Sequence, residues 1–216
     1  MAAPRTHTTN AVALKQLRGS TEAEQGSAAQ RDRRRRILDA TLVLASKGGY
    51  DAVQMRTVAE RADVALGTLY RYFPSKIHLL VSALAREFER AEADTRDKPI
   101  PGDTAHQRVM FLLDRTTKGL QGDPNLTEAL TRAFMFADAS VKNEILAVGM
   151  LLTTMLTRAM HPSRTEAEEL TEDDVAVARV IGDVWLSALV GWVTGRTSAG
   201  DVGKRMDVAV RLLLRD

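Results

Sequence analysis

The sequence predicts an all-helical protein of about nine helices, with a small N-terminal domain followed by a larger one. Apolar residues recur every three or four positions through most of the chain, and no segment alternates as a β-strand would. Residues 53–76 contain two short helices at a tight turn and the start of a third, which is typical of a helix-turn-helix. Residues 28–80 carry ten Lys or Arg against five Asp or Glu, and this basic excess favours binding of nucleic acid.

Composition limits the kind of protein further. The 216 residues suffice for a hydrophobic core, and we expect a mobile tail at 1–27, a DNA-binding domain at 28–80 and a second domain at 81–216. The chain has no Cys, which excludes disulfides and indicates a reducing cytoplasm. No apolar run reaches about 18 residues and the first residues lack an apolar signal core, so neither a membrane span nor a secretory signal is expected.

Capping residues and helix breakers predict where each helix begins and ends. Gly48-Gly49 is expected to end the first helix, Ser75 to cap the fourth, and Pro124 to lie in the first turn of the sixth. The predicted helices are, approximately, residues 28–47, 55–62, 65–72, 75–95, 103–121, 123–138, 140–160, 171–197 and 201–214.

The turn and the helix after it suit contact with DNA. Asp63 can adopt the left-handed backbone that a tight turn needs. The next helix exposes Gly67 for close approach, Thr68 and Tyr70 for hydroxyl contacts, and Arg71 for charge. Periodicity alone favours an ordinary helical hairpin with a solvated face, whereas the order of residue types favours a DNA reader.

Basic residues before the helix-turn-helix could add contacts to phosphate. Five Arg lie between residues 31 and 36, and although such a run is usually a solvated face, we expect some of them to contact the DNA backbone. In the tail, Arg5, Lys15 and Arg18 are minor candidates for an arm in the minor groove.

The order of residues in this region resembles the TetR family of one-component bacterial regulators, most specifically in the run TLYRYFPSK. The resemblance implies a TetR-like fold, in which a three-helix DNA-binding domain precedes a helical domain for ligand binding and dimerisation. The chain departs from the family at Gln54, where many members have Thr, and at Ala65, where many have Ser. The candidate DNA-contacting residues are then Arg33, Gln54, Arg56, Ala65, Leu66, Gly67, Thr68, Tyr70, Arg71, Tyr72 and Lys76.

Within that family, the chain resembles the actinobacterial repressors of cholesterol catabolism. The runs RRRRILDAT, ASKGGYDAVQMR, LTEALTRAFMFADAS and ARVIGDVWLSALV carry this closer likeness, and two of them lie in the second domain. The likeness implies a repressor that holds a palindromic operator as a homodimer and is released by a cholesterol-derived steroid, as its coenzyme A (CoA) thioester. Another acyl-CoA or a hydrophobic drug is the alternative effector.

Soft and aromatic apolar residues of the second domain are candidates for an effector cavity, although ordinary core packing is the simpler interpretation of any one Met. The candidate ligand-binding residues are Met110, Phe111, Phe134, Met135, Met155, Trp185, Leu189 and Trp192. A CoA group would need cations near the cavity mouth, and those available are Arg108, Arg115, Lys118, Arg132 and Arg158.

The eighth and ninth helices carry apolar residues on more than one side, so each needs a partner besides its own core. The resemblance implies that these two helices form the dimer interface, which would present two recognition helices to a pseudo-palindromic operator.

The sequence offers little for catalysis. His7, His78, His106 and His161 lie far apart without metal-ligand spacing, and the chain lacks a Walker loop and a Cys nucleophile. We therefore expect neither enzymatic activity nor a metal or cofactor. A hydrolase of an apolar thioester and a nonspecific nucleoid-binding protein remain the alternatives from other classes.

Overall fold

The computed structural model describes the backbone of residues 8–163 and 170–214, and the side chains of residues 28–163 and 170–214. Within these residues the chain forms nine α-helices and one short 3-10 helix without β-strands, which confirms the predicted fold class. The helices are α1 Thr8–Ala52, α2 Met55–Arg61, α3 Leu66–Tyr72, α4 Lys76–Arg96, α5 Ala105–Gln121, α6 Pro124–Met135, α7 Lys142–Met160, α8 Glu172–Val193 and α9 Ala199–Leu213.

Helix α1 differs from the expected first helix at its beginning. Its backbone is helical from Thr8, so the start predicted near Ala28 is wrong; Ala, Gln and Glu in this stretch favour a helix even without apolar periodicity. The expected arm residues Arg5, Lys15 and Arg18 lie outside the described side chains. At the other end, Gly49 adopts a φ of 67°, and the helical run is interrupted there as predicted.

Several helix ends follow local capping chemistry. The side chain of Ser75 accepts a hydrogen bond from the first turn of α4, as predicted, and those of Asp123 and Thr171 do the same at the predicted starts of α6 and α8. Thr104 caps α5 in place of Asp103, because Thr104 and Gln107 form a reciprocal capping box.

Three other boundaries are shifted from their predicted positions. Ser198 begins α9 where Asp201 was expected. The predicted seventh helix opens as the 3-10 helix Ala139–Val141 before α7 begins. Helix α8 stops at Val193, short of the predicted residue 197, and Gly195 follows it with a φ of 70°.

Two hydrophobic clusters fill the molecule. The first joins the DNA-binding helices to the second domain, since Ile37, Leu69 and Leu80 belong to the same cluster as Ala129 and Ala133 of α6. The second lies among α5, α7, α8 and α9. Helices α4 and α6 therefore connect the two parts of the chain.

Two helical segments in the described part of the chain are long and apolar enough, by length and composition, to cross a membrane. They are Ala139–Met160, with a mean hydropathy of 1.2, and Glu172–Val193, with a mean hydropathy of 1.5. Core helices of soluble proteins pass the same criterion; here 22% and 39% of the two apolar windows are buried, and α7 and α8 pack against each other.

Candidate DNA-binding surface and internal cavity

The turn between α2 and α3 has the geometry expected of a helix-turn-helix. Asp63 has a φ of 52°, the left-handed conformation that reverses the chain between the two helices. The N–H of Val64 donates to the carbonyl of Ala59 at 3.0 Å, which closes the turn. Val58 and Leu69 are fully buried and anchor the two helices to the core.

Helix α1 also fixes this turn through a charged side chain. The Arg36 guanidinium donates to the carbonyls of Ala62 and Asp63 at 2.6 and 3.3 Å, so it binds the free carbonyls at the end of α2. Arg36 is thus occupied inside the protein. Arg34 stacks on Phe73 and Arg35 pairs with Asp32, whereas Arg33 is exposed and forms no ion pair within the described residues.

Helix α3 presents one face outward, as expected of a recognition helix. Tyr70 is 46% exposed, Gly67 and Arg71 are also exposed, and the Arg71 guanidinium donates to the Thr68 hydroxyl at 3.3 Å. A Cβ atom added at Gly67 would meet nothing within 4 Å, so this part of the face is open. The face can therefore approach a partner closely while keeping hydroxyls and charge available.

The remaining candidates for DNA contact in this region lie on or next to α2, α3 and the start of α4. Gln54 and Arg56 are exposed at the start of α2, and Gln54 makes no side-chain cap bond. Ala65 is the exposed N-cap of α3. Leu66, Tyr72 and Lys76 are half-buried. The structure thus leaves Gln54, Arg56 and Ala65 accessible for contact and covers part of Leu66, Tyr72 and Lys76.

Lys76 has a second role that sequence reasoning missed. Its ammonium lies 3.8 Å from the centre of the Tyr50 ring, and the Arg132 guanidinium of α6 lies 4.4 Å from the same ring. Burial lowers the pKa of Lys76 below its usual value, while the nearby Asp51 carboxylate opposes that shift. Lys76 therefore connects the start of α4 with the end of α1, and the Tyr50 ring that it covers is also covered by Arg132 of α6.

The same junction contains a direct hydrogen bond between the two domains. The backbone N–H of Tyr50 donates to Oε2 of Glu128 at 2.8 Å. Gly49 leaves room for this carboxylate, since an added Cβ would lie 2.8 Å from Oε2. A second connection lies between α4 and α7, where His78 Nε2 is 2.9 Å from Glu144 Oε1.

The second domain contains a mostly apolar cavity of about 570 Å³ that is partly open to solvent. It lies among α4, α6, α7 and α8, with Leu84 and Phe88 on α4 and Trp185 on α8. The Trp185 indole N–H donates to the buried Thr117 hydroxyl at 2.9 Å, which fixes the ring in the wall. A cavity of this size and polarity suits an apolar small molecule.

The cavity includes some of the predicted ligand residues but not most of them. Phe134, Trp185 and Leu189 line it. Met155 is buried in the second core cluster, where Met110 and Trp192 also pack. Phe111 and Met135 are exposed to solvent. These five residues lie outside the cavity wall because their helices turn them toward the second core cluster or toward solvent.

The five cations proposed for a CoA group are also placed elsewhere. Arg108 donates to main-chain carbonyls, including Ala159 at 2.8 Å, and Arg158 pairs with the buried Glu92 at 3.2 Å. Lys118 pairs with Asp114, Arg132 lies at the domain junction, and Arg115 is exposed away from the wall.

The charged residues that do reach the cavity are on α8. Among the described lining residues, Arg179 and Asp183 carry charge, and both are exposed at its edge. Arg179 also lines a smaller adjoining pocket with Leu170 and Glu172. Sequence reasoning missed Arg179; its one signal was a cation four residues before a carboxylate, in a helix whose other charged residues all lie in its first turn.

The described residues show no arrangement suited to metal-dependent chemistry. No group of three or more His, Cys, Asp or Glu among them could hold a metal ion. His106 and His161 are instead paired with single carboxylates, Asp207 and Asp174, at 3.1 and 2.7 Å.

A helix-turn-helix on a basic N-terminal domain, joined to a helical domain with an apolar cavity, defines a DNA-binding transcriptional regulator. Residues 37–83 match the model of bacterial regulatory proteins of the tetR family, and residues 102–213 match that of the tetracyclin repressor-like C-terminal domain. The chain therefore belongs to the TetR family.

Two curated relatives are similar along nearly the whole chain. The chain is 60% identical to the HTH-type transcriptional repressor KstR of Mycolicibacterium smegmatis and 61% identical to that of Rhodococcus jostii. Each match covers 90% of this chain, with 93% of the first relative and 89% of the second. The chain is thus a DNA-binding transcriptional repressor of this family.

A solved structure has the same arrangement of helices. A TetR transcriptional regulator from Rhodococcus sp. RHA1 aligns with a TM-score of 0.78 at 30% identity, over 87% of this chain and 98% of that one. The two-domain helical architecture described above is therefore that of the family.

Proposed function

We propose that this protein is a homodimeric cytoplasmic repressor of steroid catabolism genes, released from a palindromic operator by a cholesterol-derived steroid CoA thioester. The observation that carries the proposal is the position of the cavity. Its wall includes Leu84 of α4 and Leu130 of α6, and both residues belong to the core cluster that supports the recognition helix. A ligand that changes the packing of α4 or α6 therefore changes the support of α3.

The size and lining of the cavity favour a steroid body with its CoA group outside. Its volume, about 570 Å³, is within the usual range for small-molecule sites, and its wall is mostly apolar. A charged nucleotide would lose hydration inside such a wall, so it belongs at the edge, where Arg179 lies. The identity to repressors named KstR, together with the resemblance to regulators of cholesterol catabolism, favours a steroid over other apolar acyl groups.

The last two helices supply a surface suited to dimerisation. Val180 on α8 and Val208 and Leu212 on α9 are exposed, Leu212 by 62%. Exposed large apolar residues on adjacent helices are typical of a subunit interface. A two-fold axis through this surface would place two copies of α3 on one duplex.

Release from DNA requires that the ligand prefer one arrangement of the recognition helices. A ligand with equal affinity for the DNA-bound and released states would not shift the equilibrium between them, however tightly it bound. The connections from α6 to Tyr50 and from α7 to His78 are the contacts through which such a preference reaches the DNA-binding domain.

A fluorescence-anisotropy titration tests the proposal. The purified protein is titrated onto labelled fragments of its own and neighbouring promoters at two salt concentrations, with and without a steroid CoA thioester. We expect tight binding to one palindromic fragment and its loss when the thioester is added. DNA binding that is unchanged by the thioester would refute the proposal of a steroid effector. Equal binding to every fragment would refute the proposal of a specific operator.

A further inference from the structure

Threonine hydroxyls in this protein are usually satisfied by their own helix. Those of Thr41, Thr95, Thr116, Thr157 and Thr194 each donate to the carbonyl four residues earlier, at 2.6–2.9 Å. This pattern is the ordinary way in which a helix satisfies a buried hydroxyl.

Thr131 on α6 departs from that pattern. Its side chain is buried, with 7% of the residue exposed, and it lines the cavity. No hydrogen bond of its hydroxyl is found among the described residues. The neighbouring cavity residue Thr127, one turn earlier, uses its own hydroxyl on the Leu120 carbonyl at 2.7 Å. The Thr131 hydroxyl is therefore open to the cavity, and a ligand that displaced water from it would have to supply a hydrogen-bond partner in its place.

The other polar groups of the cavity are either more exposed to solvent than Thr131 or already hydrogen-bonded within the protein. The Trp185 indole N–H is already bonded to Thr117. Thr153 is half-buried, and Thr154, Arg179 and Asp183 are exposed. Among the described lining residues, Thr131 therefore combines burial with a free hydrogen-bonding group.

We propose that the Thr131 hydroxyl binds a neutral oxygen on the apolar body of the effector, a ring ketone or hydroxyl; this inference rests on the function proposed above. A hydroxyl can donate to a ketone, or either donate to or accept from an alcohol. A carboxylate or phosphate does not suit this place, since a buried anion needs a cation and the one cationic residue among the described lining residues, Arg179, is exposed at the cavity edge.

The location of Thr131 also links recognition to release. Thr131 lies between Glu128, which accepts the Tyr50 N–H, and Arg132, whose guanidinium covers the Tyr50 ring. A ligand oxygen held by Thr131 is thus attached to the same two turns of α6 that contact the DNA-binding domain. The effector oxygen and the domain junction would thus be contacted by neighbouring residues of one short helix segment, since Thr131 follows Glu128 by one turn.

The test compares two probes on the full-length protein by intrinsic tryptophan fluorescence, since Trp185 lies in the wall. One probe is a steroid CoA thioester with a single ring ketone, and the other has a methylene in place of that ketone. We expect the wild type to prefer the ketone by about three- to tenfold, the contribution of one neutral hydrogen bond. Thr131→Val should abolish the preference, and Thr131→Ser should keep it.

The controls separate this inference from the function on which it rests. Thr154→Val removes an exposed hydroxyl from the same cavity and should leave the preference unchanged. If the wild type binds both probes and Thr131→Val weakens them equally or not at all, the role of Thr131 is refuted while the effector class stands. If the wild type binds neither probe, the steroid effector is refuted and the role of Thr131 with it.

Discussion

The backbone N–H of Tyr50 and the carboxylate of Glu128 form a 2.8 Å hydrogen bond that joins the end of α1 to α6. The bond crosses from the DNA-binding domain to the effector domain, and its acceptor lies one turn from the cavity residue Thr131. The junction is therefore a structural contact between the two domains, and in the proposed mechanism it is also the route from the cavity to the DNA-binding domain.

Loss of this acceptor should weaken the fold measurably. Glu128→Ala leaves the Tyr50 N–H without its partner, and we expect a loss of about 1–3 kcal/mol in the free energy of unfolding. Glu128→Gln keeps an oxygen at the same place and should lose less. Denaturant unfolding of the three proteins measures the difference, and equal stability of the Ala and Gln variants would contradict the importance of the bond.

The exposed face of α3 should contribute to DNA affinity rather than to the fold. Tyr70→Ala removes a half-exposed ring, and we expect operator affinity to fall by about five- to a hundredfold, the range for one specific contact. Anisotropy measures the affinity, and size-exclusion chromatography checks that the oligomeric state is unchanged. Tyr70→Phe shows how much of the loss belongs to the hydroxyl. A weakened oligomer would instead assign Tyr70 a structural role.

A side chain added at the cavity edge should block the effector without harming the fold. An added Cβ at Gly149, which lines the cavity on α7, meets nothing within 4 Å. We expect Gly149→Leu to bind operator normally but to need about tenfold more effector for release. Gly119→Leu is the matched control, because Gly119 is equally open but lies on α5 outside the wall. The same response in both variants would argue against the cavity as the effector site.

One ion pair predicts a dependence of stability on pH. Hydrogen bonding to Arg96 is the main cause that holds the pKa of Glu92 below its usual value, and Arg158 adds to the effect. Because the folded pKa is lowered, the carboxylate stabilises the fold above the unfolded pKa of about 4.3, and that contribution is lost as the pH falls through the lower folded value.

Glu92→Gln should therefore be less stable than wild type at pH 7, and the difference should shrink as the pH falls below about 4.3. Denaturant unfolding at several pH values measures it. Asp94→Asn, at an exposed carboxylate of the same helix, is the control and should change little at any pH. A constant difference between Glu92→Gln and wild type across the range would show that the ion pair is not its source.

Local signals explain why much of the fold could be predicted from the sequence. Ser75 and Thr171 cap helices and Asp63 forms a left-handed turn. These roles depend on contacts within a few residues, so the neighbouring sequence is enough to indicate them. The start of α1 was missed because its first turns lack apolar periodicity, which was the signal used to find helices.

The cavity could not be predicted to the same degree. An apolar residue on a helix can face the core, a cavity or solvent, and composition does not distinguish them. Phe134 lines the cavity, whereas Met135, the next residue, is exposed. Thr131 and Arg179 were missed because what distinguishes them, a place on the cavity wall, depends on how the helices pack.

The shared core of the two domains has a consequence for exchanging parts between related repressors. Ala129 and Ala133 of α6 pack in the same cluster as Leu80 of α4. Gly49 has no side chain, which leaves room for the Glu128 carboxylate. A chimera that takes only residues 28–80 from another repressor would keep the operator preference of the donor but lose the matching surface on α6. Grafted DNA specificity will therefore work best when the inward face of α6 is transplanted with it.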